Sequence, residues 1–175
     1  MKIDAKVQSI SKLKDYFFLV PDYQREYVWK PDDEVEQFLI DIENEYSPDA
    51  KEQRNYFLGS IIIVNNDRCF DVVDGQQRLT TIMLSLCVFR DLLKKETLNS
   101  AQKNYLQIIE NLLYNFDIES GETRVRLELQ YEESHDYLTA LIQEQPYNGV
   151  RSPSIERMQD CLLYTSPSPR DRSVS

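Results

Sequence analysis

The chain places its apolar residues at two different spacings. Apolar positions three or four residues apart predict amphipathic helices, and short apolar or alternating runs predict strands. The helical stretches are residues 7–18, 31–46, 79–95, 101–114 and 132–143. The strand-like runs are residues 18–20, 56–64, 68–73 and 124–129. Helices and strands are therefore interspersed along the sequence.

The middle of the chain predicts a hairpin followed by a buried helix. The run 56–64 is apolar on both faces, which is typical of a central strand. A turn signal at residues 65–67 leads into the second strand. Gly59 indicates close approach of a ligand or another backbone, and Ser60 beside it either binds that ligand or fills a core position. The helix after the hairpin carries two apolar stripes, so we expect it to be buried on most sides.

A polar joint separates that second strand from the buried helix. It holds a carboxylate, a glycine, two amides, a guanidinium and two hydroxyls: Asp74, Gly75, Gln76, Gln77, Arg78, Thr80 and Thr81. A helix N-terminus offers free N–H groups and a partial positive charge, which favour anions. Glycine allows a sharp turn, and arginine forks onto phosphate oxygens. The joint predicts a phosphate site, with Asp74 as a metal ligand or a water-orienting base.

The same residues have an ordinary structural interpretation. Asp-Gly is a turn dipeptide, and an aspartate before a helix is a common N-cap. Arg78 would then be a surface residue in the first helical turn. The spacing of a Walker phosphate-binding loop is absent. Residue types alone leave the functional and structural interpretations open.

A second polar segment lies between two prolines at residues 21–31. It contains Tyr23, Tyr27 and Trp29, and we expect Trp29 to anchor the segment on the core. Packing does not account for Gln24 and Arg25, which are predicted to reach a phosphate or a base edge.

Composition narrows the function classes. The chain has 175 residues, of which 41% are hydrophobic and 29% charged, as in one soluble domain. No apolar run is long enough to span a bilayer and no signal peptide is present, so we expect a cytoplasmic location and no membrane contact. One histidine, His135, argues against histidine-based metal sites and Ser-His-Asp triads. The net charge of −10 argues against broad gripping of DNA, but not against a local basic patch or a nucleotide held with Mg²⁺.

Residues 161–175 differ in character from the rest. The stretch 161–171 reads as the translation of a transposase-type sequencing adaptor, and a natural linker rich in serine and proline is the alternative. The length of the match favours the adaptor, so residues 161–175 are excluded from fold prediction. One domain is predicted over residues 1–160, and we expect the natural protein to continue beyond it.

Three motifs together resemble one protein family. They are YQRxYxW at 23–29, YFLGSI at 56–61 and VDGQQRLTT at 73–81. In this order they resemble the N-terminal domain of GmrSD-type, modification-dependent restriction endonucleases, and RxRLxL at 124–129 is similar to that family too. Three motifs in the right order are far more specific than one. The resemblance spans residues 13–138.

The resemblance implies a fold, a ligand and partners. The fold would be α+β and ParB/sulfiredoxin-like, with a small mixed sheet, a buried helix after the DGQQR loop and additional helices. A nucleotide would bind the loop 74–78 with Gln24 and Arg25. Modified DNA and a separate His-Asn-His nuclease domain would be partners of the full-length protein. No nuclease motif is present, so this fragment is not expected to cut DNA.

Two functions from different classes follow. In the first, the domain is an NTPase switch: Asp74 holds Mg²⁺ or acts as base, Gln77 orients water, and Arg78 stabilises phosphate charge. GTP, UTP, CTP and ATP are not distinguished. The remaining nucleotide contacts would be Gln24, Arg25, Gly59, Ser60, Gly75, Gln76, Thr80 and Thr81. In the second, a non-enzymatic module binds nucleotide or DNA only as a ligand. The combination of a carboxylate, two amides, an arginine and hydroxyls favours the first, and a scaffold without a ligand leaves the joint unexplained.

Overall fold

A four-stranded mixed sheet lies against the longest helix of the protein. The computed structural model describes residues 4–45, 56–116, 118, 121–131 and 135–165. The strands are β1 (Phe18–Val20), β2 (Ile62–Asn66), β3 (Cys69–Asp74) and β6 (Leu127–Leu129), in the order β2-β3-β1-β6. β1 runs parallel to both β3 and β6, whereas β2 is antiparallel to β3. The three parallel strands therefore end at one edge of the sheet, which we call the carboxyl edge, and begin at the opposite, amino edge.

Five α-helices and a small hairpin complete the described structure. The helices are α1 (Glu36–Glu45), α2 (Gln76–Lys94), α3 (Ser100–Leu113), α4 (His135–Ile142) and α5 (Pro153–Thr165). The hairpin joins β4 (Tyr114–Phe116) to β5 (Thr123–Val125). A 3-10 helix at Ile10–Asp15 precedes β1, and a π-helical turn at Pro31–Val35 leads into α1. The predicted combination of a small mixed sheet with several helices in an α+β domain is confirmed.

α2 forms the core, as its two apolar stripes predict. Leu79, Met83 and Leu84 are fully buried on successive turns, and Val20 and Leu127 of the sheet belong to the same cluster. Because apolar residues occupy more than one face, the helix is enclosed rather than lying on the surface.

A buried arginine fastens α2 to the end of α4. Arg90 is 1% exposed, and its Nη1 and Nη2 donate hydrogen bonds to the carbonyl oxygens of Ile142 and Leu141 at 2.6 and 2.9 Å. The last carbonyls of a helix have no partner within the helix, so this guanidinium satisfies them. The sequence pattern did not single out Arg90.

The prediction of a central strand at 56–64 is wrong. β2 begins only at Ile62 and is an outer strand of the sheet, which among the described residues pairs with β3 alone; Ile62 is 52% exposed. β3 uses its other side to pair with β1, which leaves β2 with one neighbour. Gly59 has a φ of +108°, outside the extended region, so residues before Ile62 do not continue the strand.

The predicted strand at 124–129 is divided at Arg126. The Arg126 N–H donates to the Leu113 carbonyl oxygen at 2.8 Å, and the Arg126 carbonyl oxygen accepts from the Phe18 N–H at 2.8 Å. The chain therefore changes partner at this residue: β5 pairs with β4, and β6 pairs with β1. A run of alternating residues cannot reveal which neighbours its two halves select.

Helix boundaries differ from prediction at several places. Within the stretch 7–18 only Ile10–Asp15 is helical, as a 3-10 helix without a buried residue, and Phe18 already belongs to β1. The helix predicted over 101–114 is α3 (Ser100–Leu113), and Tyr114 begins β4. Of the helix predicted over 132–143, α4 covers His135–Ile142, and residues 132–134 lie outside the described part. No helix of the described residues is long and apolar enough to cross a membrane.

α5 enters the segment that the sequence analysis set aside. It continues to Thr165, and Leu162 is 3% exposed in the core cluster. Residues 166–175 lie outside the described part of the chain. The adaptor origin of residues 161–175 stays a prediction, because any apolar helical residue packs irrespective of the codons that encode it.

Candidate functional site

The turn from β3 into α2 depends on a glycine in the left-handed region. Gly75 has a φ of +88° and is the N-cap of α2. A Cβ at this position would lie 2.9 Å from the Ser60 carbonyl oxygen and 3.2 Å from the Ile61 Cα. Backbone therefore approaches Gly75 so closely that no other residue fits without strain.

The N-terminus of α2 is open. Within the described structure, no side chain caps Gly75, and the first intrahelical bond runs from the Leu79 N–H to the Gly75 carbonyl oxygen at 3.0 Å. The N–H groups of the preceding helical residues have no intrahelical partner. Asp74, the last residue of β3, is exposed, and among the described residues its carboxylate forms no hydrogen bond or ion pair.

The guanidinium of Arg78 lies over Gly59. Its Nη1 donates to the Ser60 carbonyl oxygen at 3.0 Å, and a Cβ on Gly59 would be 2.6 Å from the Arg78 Cζ. The close approach predicted at Gly59 is made here by the Arg78 side chain, and the predicted ligand contact of Gly59 stays a prediction. This contact places Gly59, Ser60 and Arg78 together beside the helix N-terminus.

The segment 21–31 packs against this joint through Gln24, whose predicted contact with a phosphate or base edge stays a prediction. The Gln24 Nε2 donates to the Val73 carbonyl oxygen at 3.2 Å, and its Oε1 accepts from Gln76 Nε2 at 3.3 Å. Arg25 is exposed, and its side chain forms no hydrogen bond or ion pair with any described residue. The Arg25 carbonyl oxygen accepts a hydrogen bond from the Tyr131 hydroxyl. Gln24 and Gln76 are therefore brought together, and Arg25 stays available near the carboxyl edge.

The Gln77 side chain is buried and hydrogen-bonded to the backbone of segment 21–31. It is 5% exposed, its Nε2 donates to the Glu26 carbonyl oxygen at 2.8 Å, and its Oε1 accepts from the N–H groups of Val28 and Trp29 at 2.8 and 3.3 Å. Both lone pairs of the oxygen are thereby used. This geometry gives no support to the water-orienting role expected for Gln77, because that role would require breaking these bonds.

The two threonines face the interior. Thr80 and Thr81 are 2% and 0% exposed. The Thr81 hydroxyl donates to the Gln77 carbonyl oxygen at 2.9 Å and is 2.7 Å from the hydroxyl oxygen of Tyr27. Burial raises the pKa of Tyr27, which the Thr81 hydrogen bond partly offsets. These positions do not favour the ligand contacts expected for the threonines, since the burial of Thr80 and Thr81 is that of core residues.

The predicted contact of Trp29 with the core is confirmed, and Tyr27 is more deeply buried. Trp29 is half-buried, packs against the core cluster and has its ring centroid 6.0 Å from that of Phe38, while Tyr27 is 3% exposed. Tyr131, which the sequence analysis missed, also holds this segment. Nothing in the sequence around Tyr131 signals that role, because its partner is a backbone carbonyl 106 positions away.

An open hollow of about 470 Å³ lies at the same edge of the sheet. Its lining residues are Asp22, Gln130, Tyr131, His135 and Asp136. Asp22 follows β1 and Gln130 follows β6, as Asp74 ends β3, so these side chains share the carboxyl edge. No cluster of three or more histidine, cysteine or acidic residues suited to a metal exists among the described residues. A cation at Asp74 would therefore need further oxygen ligands from a phosphate and water.

Comparison with known proteins gives one family. The model of the family described as GmrSD restriction endonuclease, N-terminal domain, matches residues 7–166. No curated protein matches the chain. The matched segment covers most of the chain, including segment 21–31 and the joint between β3 and α2.

Proposed function

Because this chain belongs to the family of GmrSD restriction endonuclease N-terminal domains, we propose that it is the nucleotide-binding and NTP-hydrolysing regulatory domain of a modification-dependent restriction system. Membership makes it a component of a restriction system. The nucleotide, its hydrolysis and its regulatory role are the proposal, and they depend on the chemistry of the carboxyl edge.

The open N-terminus of α2 carries the proposal. Free backbone N–H groups at the positive end of a 19-residue helix are suited to phosphate oxygens. Asp74 is the last residue of β3 and Arg78 lies in the first turn of α2, so regular elements rather than long loops hold both residues near these N–H groups. Arginine donors add a bidentate contact, and Gly75 allows the left-handed turn that exposes the N-terminus of α2.

Asp74 is the residue that would hold Mg²⁺. The cation would neutralise phosphate charge and polarise the phosphate that is transferred. Mg²⁺ usually keeps several waters and takes only one or two protein carboxylates, which fits a single exposed Asp74. Arg78 would stabilise phosphate charge, and Gln77 would position the segment that carries Gln24 and Arg25.

The wider assignments follow from the family. We propose a ParB/sulfiredoxin-like fold, modified DNA as the target of the full-length protein, and a separate His-Asn-His nuclease domain as the partner that cuts it. The cytoplasm is where such a domain would meet NTP, Mg²⁺ and DNA. The sheet order and the polar loop before a buried helix support the proposed ParB/sulfiredoxin-like fold.

A non-catalytic module is the second candidate. It would bind nucleotide or DNA at the same edge without turnover. The observation that favours it is the engagement of Gln77, because no free amide remains there to orient an attacking water.

Phosphate release separates the two candidates. We expect the chain to release phosphate from at least one NTP with Mg²⁺, and Arg78→Ala and Asp74→Asn to lower the rate by about 100-fold or more. Lys103→Ala, at an exposed position on α3, is the matched control and should keep the parental rate. Release that persists in both site variants would contradict the proposed roles, and nucleotide binding without release would establish the non-catalytic module.

A further inference from the structure

Three arginines gather at the amino edge of the sheet, opposite the candidate nucleotide site. Arg68 precedes β3, while Arg124 and Arg126 flank the point where β5 gives way to β6. Arg124 Nη2 donates to the Arg68 carbonyl oxygen at 2.9 Å. The Arg124 guanidinium therefore lies against the backbone of Arg68, and we call the three residues at this edge the arginine cluster.

One aromatic ring organises two of these guanidiniums. The Cζ atoms of Arg124 and Arg126 lie 4.0 and 4.3 Å from the centroid of the Phe17 ring. Contacts of this kind between a cation and an aromatic face are attractive. Phe17 precedes β1, and its carbonyl oxygen accepts from the Phe70 N–H at 2.8 Å, so the ring is held by the sheet.

The positive charge of the cluster is not neutralised within the described structure. No described carboxylate lies within ion-pair distance of Arg68, Arg124 or Arg126, although the chain has 30 acidic and 20 basic residues. Asp15, whose charge acts on Arg126, is already paired with Lys12 at 3.5 Å. Asp71 and Glu128 lie near enough to act on neighbouring Cys69, but neither pairs with an arginine.

Arg126 carries a buried positive charge that pairs with no described carboxylate. Its side chain is buried, with the residue 7% exposed, and its hydrogen bonds to the Asn111 carbonyl oxygen and Asn115 Oδ1 are long, at 3.4 and 3.5 Å. Buried charges in proteins are normally paired. Burial, together with the like charge of Arg124, lowers the pKa of Arg126, which a bound anion would reverse.

We propose that Arg68, Arg124 and Arg126 with Phe17 form a phosphate-binding site at the amino edge, whose ligand is the phosphodiester backbone of a nucleic-acid strand. Planar guanidiniums fork onto phosphate oxygens, and backbone contacts of this kind position a protein on nucleic acid without reading sequence. Arg68 and Arg124 are exposed, whereas Arg126 is buried and shares the Phe17 ring with Arg124. This proposal does not depend on nucleotide binding at the other edge.

The test uses the full chain and three probes. A short fluorescein-labelled single strand and the corresponding duplex are titrated by fluorescence anisotropy at several salt concentrations, and inorganic phosphate is titrated by thermal shift. The variant is Arg68→Gln with Arg124→Gln, two exposed positions whose replacement spares the core. Lys103→Gln removes one exposed positive charge elsewhere and is the control. Circular dichroism establishes that each protein is folded.

We expect strand binding that weakens by about tenfold in the double variant and stays at the parental value in Lys103→Gln. The slope of log affinity against log salt should fall by about 1 to 2 in the double variant, as one to two phosphate contacts are lost. A thermal shift with inorganic phosphate that requires the arginines, without binding of either strand probe, would support a phosphate site and exclude nucleic acid as its ligand. Equal affinities in the double variant and the control, or no binding of any probe, would overturn the proposal.

The variant Arg78→Ala distinguishes nucleotide binding at the carboxyl edge from strand binding at the amino edge. It should abolish nucleotide binding at the carboxyl edge and leave strand binding unchanged. Loss of strand binding in Arg78→Ala with retention in the double variant would assign the strand to the carboxyl edge and contradict the arginine cluster.

Discussion

At the scale of single residues, the candidate site depends on two glycines and one arginine. Gly75 allows the left-handed turn that exposes the N-terminus of α2, and Gly59 leaves the space that Arg78 fills. Each glycine is needed because something lies within 3 Å of where its Cβ would be. The position of the guanidinium therefore follows from the absence of a side chain elsewhere in the sequence.

Gly59→Ala should displace Arg78 and weaken nucleotide binding. The new Cβ would meet the guanidinium at 2.6 Å, and alanine is also strained at a φ of +108°. Gly121→Ala is the matched control, since Gly121 has a φ of +70° but nothing within 4 Å. Backbone strain of roughly 1–2 kcal/mol is expected in both variants. A loss of nucleotide affinity of about tenfold should appear only in Gly59→Ala, measured by calorimetric titration, and equal affinities in the two variants would contradict the steric account.

At the scale of elements, the segment 21–31 is fastened to α2 by buried polar contacts. Gln77 connects to the backbone at Glu26, Val28 and Trp29, while Tyr27 bonds to Thr81. The segment has no regular secondary structure of its own until Pro31, so these side chains satisfy backbone groups that a helix or strand would otherwise pair. α2 therefore positions both halves of the candidate site.

Gln77→Ala should loosen this segment. Two backbone N–H groups and one carbonyl would lose their partner, which costs roughly 1–3 kcal/mol for each buried group left unsatisfied. We expect the free energy of unfolding to fall by about 2–4 kcal/mol in chemical denaturation. Gln107→Ala, at an exposed position on α3, should change it by less than about 0.5 kcal/mol. A stability change in Gln77→Ala as small as in the control would mean that the buried amide is not what holds the segment.

The local sequence pattern predicted which helices and strands form better than it predicted which of them pack side by side. The two apolar stripes of α2 identified the core, and the turn signal at 65–67 identified the β2–β3 hairpin. The edge position of β2 and the division at Arg126 depend on which strands pair at long range, which hydrophobic spacing does not encode. In the candidate site, the polar joint was recognisable from residue types. The burial of Gln77, Thr80 and Thr81 was not recognisable, because it depends on which side of α2 faces segment 21–31.

At the scale of the whole molecule, the sheet separates two polar surfaces. The carboxyl edge presents Asp74, Arg78 and the hollow around Tyr131, and the amino edge presents the arginine cluster. β1 connects them and has only three residues, so the edges are roughly 10 Å apart along that strand. A shift of β1 would therefore affect both surfaces.

The stability of the whole chain should fall at alkaline pH. Burial raises the pKa of Cys87 from 9.0 and that of Tyr131 from 10.0, each to about 12, and raises the pKa of Tyr27. Between about pH 9 and 12 the folded state keeps these protons while the unfolded chain loses them, so the folded state binds more protons. The contribution to stability is fully present below pH 9 and is lost as pH rises towards 12.

Denaturation at a series of pH values measures this loss. Tyr131→Phe removes one of the groups and should make the decline shallower, whereas Tyr105→Phe, on an exposed side chain, should leave the decline as in the parent. A parental stability that is constant up to pH 12, or a Tyr131→Phe curve parallel to that of Tyr105→Phe, would contradict the assignment.

Calorimetric titration of the folded chain with each NTP in the presence of Mg²⁺, beside Arg78→Ala and Lys103→Ala, shows whether a nucleotide binds at the N-terminus of α2. We expect the parent and Lys103→Ala to bind at least one NTP, and Arg78→Ala to lose about 100-fold or more in affinity. Binding of equal strength in all three proteins, or none by a folded parent, would contradict the assignment of a nucleotide site to the N-terminus of α2.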